Sequence, residues 1–296
     1  MDQVLWHHLR KRVANREHKP HSHSKRPARL TAEPPIASFL KSMLIGGGPV
    51  NASVLLLTGW DSSVFEILPP DTTSRWKLVR EFVTRFRAKP RTYPEIEKET
   101  VARYEASLGN QLPTAVREWY LLIGDIGDHW TGQDSMWVPT IPIIDGAVVP
   151  LMAENQNCFR MGYLVDDADQ ADPPVYRYSD GEPDFQLSST VTEFAIQMLI
   201  LETIWSGTNA YFDCADGIDG NEAKAIESEF KGCAINDMNL WSAPIRFRCD
   251  DDVVFRLDYD GGTDEYAYYG FAAATKDAFN RTVSRLSQLG IELVSQ

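Results

Sequence analysis

The segment from Thr190 to Trp205 constrains the fold more than any other part of this chain. Thr190 and Glu193 stand in the spacing of a capping box. Behind them Phe194, Met198, Leu201 and Trp205 recur at i, i+4, i+7 and i+11, the period of a helix. Val191, Ala195, Leu199 and Ile204 carry the apolar surface nearly all the way round. A helix with no polar face is stable only when it is packed on several sides, so this one is predicted to lie deep in a core. Gln197, Glu202 and Thr203 interrupt it, and the apolar run is too short to cross a bilayer.

The flanking segments supply what such a helix could pack against. A first helix is expected after Asp71-Thr72-Thr73-Ser74, with Trp76, Val79, Val83 and Phe86 on one face and Lys89-Pro90 as its stop. Pro94 opens a second, running through Ile96, Val101, Tyr104 and Leu108 to Gly109. Pro113 sits near the first turn of a third, whose apolar positions are Val116, Trp119, Tyr120 and Ile123 before Gly124. Residues 136–187 then change character. Short apolar runs (Met136–Val138, Ala147–Met152, Phe159–Val165, Val175–Tyr178) alternate with Asp, Gly and Pro turns, the pattern of a strand meander. Beyond the central helix a polar loop leads to strands at Ile245–Cys249, Val253–Asp258 and Tyr266–Ala272, turning at Asp250-Asp251-Asp252 and Asp260-Gly261-Gly262. A last helix runs from Thr275 through Phe279, Val283 and Leu286 to Gly290. Helices, strands, helix, strands, helix is the order of an α+β fold, an antiparallel or mixed sheet packed against helices.

Residues 1–35 are expected to form a disordered basic tail. They hold five of the six histidines, and residues 1–30 carry eight basic and two acidic side chains. Residues 36–70 are read as a small ordered extension, with a buried strand at Val54–Leu57 after Gly46-Gly47-Gly48-Pro49. No GxxxxGK[ST] accompanies those glycines, so they read as a turn and not a phosphate loop. Residues 71–296 are assigned to one domain.

Charge separates these regions. The chain totals −13, yet from Tyr93 onward there are 13 basic and 35 acidic residues, a balance of −22. Such a surface repels nucleic acid and anionic lipid and draws in basic partners. No apolar block follows the basic N-terminus, so a cytoplasmic protein is expected, with no membrane association. Cys158, Cys214, Cys233 and Cys249 show no CxxC pair or regular spacing and are read as reduced thiols.

The search for chemistry assigns no catalytic, cofactor or metal-binding residue. His129 is the only histidine outside the tail; it lies in a Gly/Asp loop without a GxSxG. Carboxylates are numerous, but no two are singled out as a hydrolase pair. Asp213, Asp216, Asp219 and Glu222 miss the calcium-loop spacing and read as a capped turn. Glu154-Asn155-Gln156 stands between two strand runs, where it could satisfy backbone groups at a bend or read those of a partner.

Four motifs in order then point to a family. Leu108-Gly109, with Leu112-Pro113-Thr114-Ala115-Val116-Arg117-Glu118-Trp119-Tyr120-Leu121-Leu122-Ile123-Gly124, resembles the LG-x-x-LP-x-x-x-REWY-x-L-x-G signature of the SUKH superfamily, which includes bacterial immunity proteins and yeast Smi/Knr-type cell-wall assembly regulators. Glu154-Asn155-Gln156 resembles its ENQ, and Met161-Gly162 falls near its Trp-Gly, with Met in place of Trp. Asp172-Pro173-Pro174-Val175-Tyr176 resembles its DPPV[YW], and Thr190–Leu201 its closing helix. The likeness spans residues 74–205. It implies a SUKH-like fold and a non-enzymatic protein-binding module: an immunity protein that neutralises a basic toxin domain, or alternatively a regulatory scaffold. A carboxylate-dependent hydrolase is the third reading. Trp119, Tyr120, Glu154, Asn155 and Gln156 are the motif residues carried forward as possible binding positions.

Overall fold

A computed structural model describes residues 67–86, 96–124, 134–137, 139, 146–206, 211–240, 244–250, 252–259 and 266–291, without the side chains of 206, 211–216 and 266. All belong to the unit Leu57–Gln296. The expected tail, the strand at Val54–Leu57, Pro94, His129 and the Asp260-Gly261-Gly262 turn lie outside these residues.

The fold is α+β. Helix α1 spans Thr72–Phe86, and Asp71 accepts the Ser74 N–H at 2.8 Å ahead of it. Helix α2 spans Lys98–Leu108 and ends at Gly109 with φ 72°, a left-handed cap that glycine adopts without Cβ strain. Helix α3 spans Thr114–Glu118 and widens into a π-turn over Trp119–Ile123, which buries Trp119, Tyr120 and Ile123 alike. Five strands follow as an antiparallel meander in chain order: β1 Ser135–Met136, β2 Val148–Ala153, β3 Arg160–Leu164, β4 Val175–Ser179 and β5 Glu182–Ser188. β2 and β3 pack so closely at Gly162 that a Cβ there would lie 2.3 Å from the Val149 carbonyl oxygen.

The central helix α4, Val191–Ser206, is buried at every position from Val191 to Ile204. It holds the first core together with α1, α3 and the inner face of the meander. Its far side meets a second antiparallel sheet, ordered β6-β9-β8-β7, with β6 at Tyr211–Asp219, β7 at Ile245–Asp250, β8 at Val253–Tyr259 and β9 at Tyr266–Ala273. Strand alternation divides the sheet's residues between two cores. Ile245, Phe247, Val254 and Ala272 join α4 in the first core. Val253, Phe255, Leu257, Tyr259, Tyr269 and Phe271 join helices α5 (Gly220–Glu229) and α6 (Lys276–Gln288) in a second.

Three expectations are corrected. The span after α4 is not simply a polar loop, because it contains β6 and α5. The capping box of α4 is only half formed. Thr190 Oγ1 accepts the Glu193 N–H at 3.1 Å, but the Glu193 carboxylate takes Ser189 Oγ and the Asn236 N–H instead of turning back. The cysteines are not all reduced: Cys233 and Cys249 form a disulfide with Cα atoms 5.6 Å apart. Their separation of 16 residues carries no signature, because the segment after α5 folds back along β7 to bring them together.

Candidate functional site

Most of the motif residues turn out to hold the fold. Trp119 and Tyr120 are 1% and 2% exposed. Trp119 packs between Trp76 and Phe194, with centroids at 5.5 and 6.3 Å, and its indole N–H donates to Met136 Sδ. Tyr120 meets Tyr104 edge-on, and burial raises its phenol well above the ordinary range. Neither ring can touch a partner. Glu154 is buried and accepts the N–H groups of Gln156 and Cys158, each at 3.0 Å, which shapes the turn between β2 and β3. Asn155 and Gln156 are exposed on that turn. Asp172 of the Asp-Pro-Pro segment accepts the N–H and hydroxyl of Thr192 at the start of α4, and Arg75 Nη1 lies 3.5 Å away. The sequence read Glu154 as either a bend or a binding group, and the geometry makes it a bend.

The polar residues of α4 act in the same way. Gln197 donates to the Asn236 carbonyl at 2.9 Å, and Glu202 accepts the Asp134 N–H at 3.2 Å. Two of the three polar breaks in the apolar run thus anchor a loop, while the Thr203 hydroxyl is buried without a partner. Asp219 and Glu222 form a complete capping box on α5, so the capped turn expected there is present. Among the described residues no three His, Cys, Asp or Glu side chains are placed to hold a metal ion. Among them, too, no helix is long and apolar enough to cross a membrane.

A candidate surface for a ligand lies where the tight α2–α3 corner faces the segment after β3. Together they enclose an open groove of about 610 Å³. Asn110, Gln111 and Thr114 line one wall, and Asp166, Asp169 and Gln170 the other. The Ala115 N–H donates to the Ala171 carbonyl at 2.8 Å and ties the two walls together. Asp167, in the same short 3-10 turn, accepts Gln170 Nε2 at 2.7 Å through Oδ1 and leaves Oδ2 without a partner. Its carboxyl lies above the ordinary range, first through burial and then through the charges of Asp166 and Asp169. Among the described residues no lysine or arginine lines the groove, and Arg117 of α3 is paired with Glu105 at 3.0 Å. Carboxylates and amides without a resident cation suit a guanidinium or ammonium group. The sequence reading missed this site. Its signal was Asp166-Asp167-x-Asp169 just after a strand, which did not stand out in a chain this acidic.

Comparison with protein-family models, with curated proteins and with solved structures finds no match to this chain.

Proposed function

We propose that this chain is a non-enzymatic protein-binding module whose acidic groove captures a basic protein, and that it serves as an immunity protein of the SUKH type against a basic toxin domain. The observation that carries this reading is the pair Asp166 and Asp169 on the groove wall, with the half-buried Asp167 between them in sequence and, among the described residues, no cationic lining residue. Mutual repulsion among these carboxylates is relieved when a cationic side chain enters. The balance of −22 beyond Tyr93 steers such a partner from a distance. The order of the four sequence motifs supports the family reading, and the proposed setting is the cytoplasm. No nucleic acid, membrane or cofactor enters the proposal. A regulatory scaffold is the second reading, favoured by the basic side chains concentrated in residues 1–30, which would recruit a separate acidic partner.

The test is co-expression with a basic toxin domain, the candidates being any encoded beside this chain's gene. Growth should be restored. Changing Asp166, Asp167 and Asp169 together to Asn should weaken the purified complex about tenfold or more and flatten its salt dependence. A toxin that neither binds nor is neutralised would refute the immunity reading. An unchanged affinity in the triple variant would remove the groove from it.

A further inference from the structure

We infer that the Cys233–Cys249 disulfide is a redox-controlled clasp on a strap that closes the outer edge of β7, and that thiol exchange at Cys233 opens it. In the second sheet β7 is an edge strand. Its outer backbone groups are taken up by residues 231–238. Met238 and Ile245 exchange both hydrogen bonds, at 3.1 and 2.8 Å, and the Cys249 N–H donates to the Lys231 carbonyl at 2.9 Å. The strap has no helix or strand of its own, only two isolated bridges to β7. Ile235, Met238 and Leu240 are buried, whereas Gly232, Ala234, Asn236, Asp237 and Asn239 are exposed. Glu193 and Gln197 of α4 hold it only through the backbone of Asn236. Three core side chains and these hydrogen bonds seat the strap, and the disulfide is the covalent tether that fixes it against β7.

The two sulfurs differ in access, since Cys249 is 4% exposed and Cys233 only partly buried. A low-molecular-weight thiol such as glutathione therefore attacks Cys233 Sγ as its thiolate. That forms a mixed disulfide and expels Cys249 as a thiolate. A second glutathione thiolate attacks the glutathione sulfur of the mixed disulfide, releasing Cys233 thiolate and oxidised glutathione. Two electrons pass from the two glutathiones to the cystine, and each cysteine thiolate takes up a proton at neutral pH. In a reducing compartment such as the proposed cytoplasm the strap is released; in an oxidising one it stays shut.

Hydrogen-exchange mass spectrometry on the full chain tests this, comparing oxidised protein, protein held in reduced glutathione, and the Cys233→Ser/Cys249→Ser variant. The masses of the peptides carrying Cys233 and Cys249 report the bond. The expected result is reduction with the far-ultraviolet circular dichroism retained, and exchange at least tenfold faster in residues 231–250 with less than a twofold change in α4 and β2–β4. Unchanged exchange in residues 231–250 would overturn the inference. So would a bond that resists glutathione, or reduction that unfolds the wild-type chain throughout, since the disulfide would then be a fixed staple.

Discussion

Asp134 is 6% exposed, beside Glu154 and against α4. Burial pushes its carboxyl up to about 7; the Asn155 N–H it accepts at 3.1 Å opposes this, and the charge of Glu154 adds to it. The folded chain thus keeps this proton to near neutrality, while the unfolded chain releases it near the ordinary carboxylate value of about 4. The stability it contributes is full below pH 4 and is lost as the pH rises through 7. Asp134→Asn keeps an oxygen for the Asn155 N–H and has no proton to lose. Urea unfolding should find the variant and wild type equal at pH 4, with the variant more stable at pH 8 by on the order of 2–4 kcal/mol. Parallel curves across that range would contradict this assignment. Nothing in the sequence marks Asp134 among so many acids. Its behaviour comes from contacts with residues 20 and 68 positions away, which no local pattern contains.

Elements were legible where burial imposes a period. β7, β8 and β9 match their expected spans to within one residue: β7 alternates apolar and charged residues over one core, and β8 and β9 place side chains in two. α4 was legible for the opposite reason, having no exposed side to interrupt the pattern. β5 is mostly exposed, as an edge strand can be, and so lacked the apolar run that marked its neighbours. α5 buries only Ala223 and Ile226, too little to stand out from a polar loop. Its N-terminus is held instead by chemistry: Asp219 accepts the N–H groups of Asn221 and Glu222 at 2.7 and 3.0 Å, and Glu222 returns to the Asp219 N–H at 2.8 Å. Asp219→Ala leaves those donors to water and should cost about 1 kcal/mol. Hydrogen exchange across residues 220–229 should accelerate accordingly, whereas an unchanged rate would show that packing on β9 alone holds the helix.

For the molecule as a whole, the acidic balance was plain in the sequence and the candidate groove was not. The Leu-Pro corner announces a tight helix joint, and its physical job is to seat Trp119 and Tyr120 in the first core. The same corner incidentally forms one wall of the groove. Its opposite wall comes from residues more than 50 positions later, and only the meander sets the two side by side. The motif residues that read as binding positions are therefore mostly structural, and the proposed binding face lies next to them. The most direct measurement is an NMR titration of the folded chain with an arginine nonapeptide, following backbone amide shifts. The largest shifts should fall on residues 110–114 and 165–171, and should vanish when Asp166, Asp167 and Asp169 are changed together to Asn. Shifts centred on another face, or unaffected by those three substitutions, would contradict the assignment of the docking site.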